Sequence, residues 1–357
     1  MNNQWQFRID PWLCSLLLAV IAYGLIVLYS AGGEVLVKKQ AVRLTIGFVA
    51  FLIIAQIKPE RFELFTPYVF VFSLLLLFAV FVFGSESKGA KRWLQLGIRF
   101  QPSELAKISI PLMLAWLLRF RSLPPDLKTL GLALVFILVP VSLVYKQPDL
   151  GTSILILISG AFVIFLAGLS WKIITAGVIG AIASTPILWY FMHDYQKSRV
   201  LQFFNPNDDP LNSGWNIIQS KIAIGSGGMF GKGWLSGTQT QLDFLPEHST
   251  DFILSVLAEE FGFVGVLILF ALYLMIIVRC FIIAQNAKNT YNRLICGALT
   301  MTFFVYVFIN AGMISGMLPV VGIPLPLISY GGTSALTLMA SFGIIMSVHT
   351  HKKLIQQ

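Results

Sequence analysis

Apolar residues in this chain neither alternate nor keep to one helical face; they run in blocks such as Pro11–Ala31, Phe65–Gly84, Leu130–Tyr145, Leu150–Leu169, Ile173–Phe191 and Phe261–Ala284. Each block approaches or exceeds the roughly 18–20 residues that carry a helix across hydrocarbon. No water is available there to satisfy backbone groups, so a block of this kind adopts a helix. Polar interruptions divide the chain into ten expected spans, near residues 11–31, 41–57, 65–84, 104–120, 129–145, 150–169, 171–191, 252–284, 291–316 and 328–348. The pattern predicts an all-α, polytopic integral membrane protein of about ten transmembrane helices. It forms a single domain over 1–357, with one long extracytoplasmic loop at 192–251 and no soluble domain.

Composition removes the alternative of a soluble protein. Of 357 residues, 57% are hydrophobic and 11% charged, with a mean hydropathy of +0.80. A soluble domain is about a quarter charged, so this chain lacks a polar shell. The short polar start "MNNQWQFRID" precedes an apolar stretch with no small-residue cleavage site, which gives no cleavable signal. Cys14, Cys280 and Cys296 are scattered among apolar segments and read as small hydrophobes, not as a metal cluster or disulfide framework. No nucleic-acid partner is expected.

An even number of spans leaves both termini on one side. Placing them in the cytoplasm puts "KPERFE", "RFRSLPPDLK", the Arg279–Arg293 turn and the "HKK" tail inside, as the positive-inside rule prefers. The 25 Lys and Arg then split 12 inside and 13 outside. The outer cations concentrate at 85–103 and in the long loop, with Lys197, Arg199, Lys221 and Lys232. Cations kept on the disfavoured side point to an anionic ligand; a merely solvated loop is the alternative.

Three stretches carry candidate chemistry. "FLPEHSTDFILSVLAEE" gathers Asp243, Glu247, His248 and Asp251 at the start of an apolar run, with Thr250 beside them. Ser249 or Thr250 can cap the following helix, and Asp251 in its first turn faces the positive end of the macrodipole. An ionised carboxylate at the headgroup surface can take a proton from a sugar hydroxyl; the same Asp could equally be a capping device. Glu259 and Glu260, about 12 Å further along that helix, either face a cavity or lock helix packing. "SKGAKRWLQLGIRFQPSELAK" sets Lys91, Arg92 and Arg99 around an interfacial Trp93, then enters a helix through Gln101, Pro102 and the cap candidate Ser103. Glu104 and Lys107, three apart, are neighbours on one face of that helix. The cations could clamp a pyrophosphate. "MLPVVGIPLPLISYGGTS" places three prolines and three glycines in an apolar stretch, which reads as a broken or re-entrant entry to the last helix. "GSGGMFGKG" has Ser226 and Gly233 where a phosphate loop needs Gly and Ser or Thr, so it is set aside. His349 and His351 have no further ligands nearby in sequence.

These three motifs, in this order, resemble the SEDS family of bacterial shape, elongation, division and sporulation proteins, and the likeness spans essentially the whole chain. "GWLSGTQTQLDFLPEHSTDF" and the short N-terminus are similar to the elongation branch, and Val321 stands where division members often carry Lys. The resemblance implies a multi-pass protein of the bacterial cytoplasmic (inner) membrane that polymerises lipid II, the lipid-linked disaccharide-pentapeptide, on the outer face. The family's essential Asp falls on Asp251 and its sensitive acidic residue on Asp243. Its Trp falls on Trp93, and its cavity Glu/Lys pair on Glu104 and Lys107. The family pattern places a small residue between Glu and His, whereas here Ser249 follows His248. The implied partners are a class B penicillin-binding protein with transpeptidase activity and other membrane proteins of the rod complex. With the resemblance, Asp251 is expected as the base of an inverting transfer. The cations of 88–99, with Lys107 or Lys221, would steady diphosphates, with or without a divalent cation (Mg or Mn). A lipid II flippase and a structural scaffold are the rival readings.

Overall fold

The computed structural model describes residues 9–87, 90–95, 99–192, 194–204, 213–241 and 247–351, so Asp243 and Lys88 lie outside the described residues. The helices are α1 (Pro11–Ala55), α2 (Pro59–Phe83), α3 (Pro102–Leu118), α4 (Leu127–Tyr145), α5 (Leu150–Leu166) and α6 (Trp171–Phe191). After these come α7 (Asp194–Phe204), α8 (Ser213–Gly227), α9 (Thr238–Gln241), α10 (Ile253–Gln285), α11 (Thr290–Ile314) and α12 (Thr333–Thr350). Six of them, α1, α2, α4, α10, α11 and α12, are long and apolar enough to cross a membrane. The 45 residues of α1 are two passes joined without a loop, because Gly33 breaks the helix at φ +68°. With α3, α5 and α6 this makes ten passes among the described residues, and their limits agree with the expected spans within a few residues, the starts of α2, of the second pass and of α12 excepted. Helix continues past Gly33 through residues 34–40, where Glu34, Lys38, Lys39 and Gln40 interrupt the apolar pattern, and Glu34 and Lys38 pair at 2.5 Å one turn apart.

Three features lay beyond the apolar pattern. Residues between α2 and α3 form a small antiparallel sheet of β1 (Ser85–Ser87), β2 (Ala90–Gln95) and β3 (Arg99–Phe100), with Ser85 opposite Trp93 and Gln95 opposite Arg99. The long loop carries α7, α8 and α9. And α10, expected as one continuous span, breaks at Gly262 (φ +65°). The groups freed there pair with the glycine-rich loop: the amides of Phe263 and Val264 donate to the carbonyls of Gly228 and Met229 (2.9 and 3.1 Å). In return the amides of Lys232 and Gly233 donate to the carbonyls of Glu259 and Glu260, both at 3.0 Å.

The irregular stretch between α11 and α12 is the expected broken entry, though the last helix begins at Thr333 instead of near 328. Backbone at this depth survives only with protein partners, and it has them. Asn310 Nδ2 donates to the Ile323 carbonyl (2.7 Å), Tyr273 Oη to that of Pro326 (2.7 Å) and Gln40 Nε2 to that of Ser329 (3.2 Å), while the Gly331 amide donates to Gln40 Oε1 (3.2 Å). At the far end of the bundle, Asp10 at the head of α1 accepts from Arg279 of α10 and lies 3.7 Å from His349 of α12. Residues 10 and 351 therefore sit at the same end.

Candidate active site

α3 is the hub of the site. Fourteen of its 17 residues are buried, so its two charged side chains cannot reach bulk water. Pro102 starts the helix at a position where a missing N–H is harmless. The hydroxyl of the expected cap, Ser103, has no hydrogen-bond partner among the described residues; Gln101 stands at the cap position, and its side chain turns away to donate to Asp149 Oδ2 at 3.0 Å. One turn in, Lys107 donates to Glu104 Oε1 (2.7 Å) and to the Tyr306 hydroxyl of α11 (2.6 Å), with its ammonium 5.0 Å from the Tyr306 ring centre. Glu104 and Lys107 are each only 5% exposed. A desolvated pair like this holds its geometry only while every partner stays in place. Glu104 Oε2 is buried without a hydrogen-bond partner among the described residues.

Asp251 lies in a turn, not in the helix that follows. α10 begins at Ile253 behind Phe252, with no side-chain cap, so neither Ser249 nor Thr250 caps it. Both residues act through their carbonyls instead. The Tyr330 amide donates to Ser249 O (2.9 Å), Ser329 Oγ to Thr250 O (2.5 Å) and Asn310 Nδ2 to Asp251 O (2.9 Å). The turn is thus stitched to the broken stretch before α12. Within it, Thr250 Oγ1 donates to Glu247 Oε2 at 2.8 Å. Gly322 leaves room for the Asp251 carboxylate: a Cβ there would stand 3.3 Å from Oδ2.

These groups wall one cavity of about 270 Å³, formed by the first turns of α3, α5 and α12 and by the turn before α10, at the end of the bundle away from the termini. Arg92, Trp93, Gln101, Glu104, Lys107 and the trio Glu247, Thr250, Asp251 all line it. Lys91, Arg99, Lys221 and His248 do not. Lys91 and Arg99 are exposed on the sheet, and Lys221 packs against Gly316 at the end of α11. Asp243 falls outside the described residues.

Sequence reasoning missed Asp149, Tyr306 and Tyr330, which line the same cavity. Asp149 caps α5 by accepting the Thr152 amide (3.2 Å) and holds Gln101; Arg92 stands 3.8 Å from its Oδ1 and donates to the Pro148 carbonyl (2.6 Å). An Asp before an apolar run with Thr three residues on is a helix-start signal, and nothing local ties it to residues 92 and 101. Tyr330 carries Arg43 of α1 over its ring at 4.5 Å. Glu259 and Glu260 take the packing alternative: Glu259 accepts from Lys232 Nζ (2.7 Å) and the Thr238 amide (2.9 Å), and Glu260 accepts from Ser30. Among the described residues no group of three His, Cys, Asp or Glu is placed to hold a metal ion.

Comparison with known proteins supplies the family. Residues 11–354 match the FtsW, RodA and SpoVE family, described as cell cycle proteins. The chain is 53% identical over 354 residues to peptidoglycan glycosyltransferase MrdB of Escherichia coli K12, covering 98% of this chain and 96% of that one. It superposes at a TM-score of 0.87 and 32% identity on a chain from a structure of a peptidoglycan synthase complex that coordinates polymerization and crosslinking, with 98% and 100% covered. The rod shape determining protein RodA of Thermus thermophilus superposes at 0.75 with 30% identity, covering 98% and 99%.

Proposed function

The chain belongs to the FtsW, RodA and SpoVE family of cell cycle proteins, and we propose that the cavity beside Asp251 is where it polymerises glycan. It is a multi-pass membrane protein and a peptidoglycan glycosyltransferase of the RodA type, which joins lipid II units into strands for lateral wall growth. In the reaction the 4-hydroxyl of one lipid-linked sugar attacks the anomeric carbon of another. The O–H bond breaks, an O–C bond forms on the face opposite the leaving group, and the lipid diphosphate departs with the electron pair of the broken C–O bond.

Asp251 is the base in this reading, because the step needs an acceptor for the hydroxyl proton and its carboxylate lines the cavity. The turn that carries it is held at three successive carbonyls, those of Ser249, Thr250 and Asp251, which positions the carboxylate before substrate arrives. Arg92, steadied by Asp149 and Pro148, offers a guanidinium to the departing diphosphate. Lys107, held by Glu104 and Tyr306, is the second cation lining the cavity. Trp93 offers an apolar face at headgroup level. Lys91, Arg99, Lys221 and His248 are assigned to the outer approach, where anionic headgroups arrive. The isoprenoid tails leave between helices into the outer leaflet, with both termini cytoplasmic. The carrying observation is that carboxylate and cations share one small cavity at the end remote from the termini. The cavity lies at one end of the bundle instead of at mid-depth, which argues against the flippase alternative. A class B penicillin-binding protein, among other rod-complex membrane proteins, is the partner that would cross-link the strands.

Asp251→Asn tests the assignment. Purified in detergent and given lipid II, this near-isosteric variant is expected to lose at least about 100-fold in polymer formation, the lower range of general-base catalysis. Its thermal melt should match that of the native chain. Polymerisation at the native rate would dispose of Asp251 as base.

A further inference from the structure

At the end of the bundle that holds the termini, the start of α2 and the end of α3 leave an open groove of about 470 Å³, within the roughly 300–1,000 Å³ of small-molecule sites. Its walls carry both signs of charge. Glu60 and Glu63 project from the first turns of α2, followed on the same face by Leu64, Pro67 and Tyr68; Trp116 and Arg119 face them from α3. The Arg119 guanidinium carbon lies 4.3 Å from the Trp116 ring centre and 4.6 Å from that of Phe120, and its Nε is 3.2 Å from Glu63. Glu63 is thereby engaged. Glu60 has no ion-pair partner among the described residues. From the groove, Leu64, Tyr68, Phe72 and Leu75 run as an apolar strip along α2, each more than half exposed.

We infer that this groove binds one phospholipid with a primary-ammonium, zwitterionic headgroup, phosphatidylethanolamine by chemical class, from the leaflet on the termini side. Each part of that lipid meets a matching wall. The ammonium meets Glu60 between the faces of Trp116 and Tyr68, as a charge-assisted hydrogen bond backed by ring quadrupoles. The phosphate meets Arg119, whose position is fixed by two rings and a carboxylate. The acyl chains follow the exposed strip on α2. The lining groups also choose among lipids. Two carboxylates against one guanidinium leave the site net negative, which disfavours an anionic headgroup. A quaternary ammonium has no N–H to donate to Glu60. A protein segment would need to cover the exposed strip along α2 as well.

The test is native mass spectrometry of the delipidated full chain in detergent, titrated with phosphatidylethanolamine, phosphatidylglycerol and phosphatidylcholine at equal concentration. The expected result is one retained phosphatidylethanolamine, favoured over the other two by about fivefold or more, equivalent to roughly 1 kcal/mol. In Glu60→Gln, which removes only the charge, the preference should fall to near parity while the thermal melt is unchanged. Equal adducts of all three lipids, as expected of a groove kept for a basic protein segment, would overturn the inference. So would a preference for phosphatidylglycerol, or a preference untouched by Glu60→Gln.

Discussion

Tyr306 shows what a single residue contributes that the chain order hides. It sits 199 positions from Lys107, inside an apolar run where a Tyr reads as one more aromatic. Glu104 and Lys107 were legible because charge inside an apolar block is conspicuous and their spacing puts them on one face; the third member comes from another helix and carries no charge. Its hydroxyl accepts a hydrogen bond from Lys107 at 2.6 Å, and both side chains are buried. Removing a buried acceptor from a charged donor costs about 1.5–3 kcal/mol. Tyr306→Phe is therefore expected to slow lipid II polymerisation about tenfold or more, with Lys107→Met no worse when added to it than alone. A double-mutant cycle on the polymerisation rate measures this; additive losses would show that the two side chains act separately. Asp149 was hidden for a different reason: its capping duty accounts for it locally, and its hold on Gln101 and Arg92 exists only once α3, α5 and the sheet are assembled.

At the scale of elements, hydropathy reveals where a helix meets hydrocarbon and little else. The ten passes were readable for that reason, and so was the broken stretch before α12, whose prolines and glycines contradict its apolar surroundings. The break at Gly262 was not, because a glycine in an apolar run is compatible with unbroken helix. What forces it is tertiary: the glycine-rich loop after α8 supplies carbonyls and amides at the right place, and Lys232 and Thr238 fix Glu259 beside it. That loop had been set aside as a failed phosphate motif, and its glycines serve a backbone-to-backbone seam instead. Gly262→Ala tests the seam. A side chain there must adopt a left-handed φ and would stand 2.6 Å from the Met229 carbonyl oxygen. The backbone there, at φ +65° and ψ −164°, lies in a region essentially confined to glycine and costs another residue about 1–3 kcal/mol, so the variant should melt lower. Gly131→Ala, in a helix interior with open space around it, should be neutral or slightly stabilising. Equal melting of the two variants would show that the seam contributes nothing.

Across the whole molecule, polar anchors at opposite ends hold the bundle, one around Asp251 and one around Asp10. The second was invisible in sequence, because an Asp ahead of Pro11 reads only as a helix cap. Asp10 does cap α1, through the Leu13 amide at 3.1 Å, and it also ties α1 to α10 and α12 through Arg279 and His349. Burial alone would raise its pKa, but hydrogen bonds from Arg279 and the Leu13 amide, with the charges of Arg279 and His349, bring it below the ordinary 3.8. A carboxylate with a depressed folded pKa binds protons more tightly in the unfolded chain. Its stabilisation is complete above pH 3.8 and is lost as pH falls through that value toward the folded one. Asp10→Asn keeps the cap's shape and removes the charge. It should melt lower than the native chain at pH 7, by about 2 °C or more, and the gap should narrow as pH drops below about 4. Since the anchor lies at the opposite end from the cavity, lipid II polymerisation by the folded variant should stay near native. Melting curves at pH 7 and pH 3, with activity measured at pH 7, check both halves: a gap that does not narrow in acid would mean the Asp10 charge does not hold the three helices together.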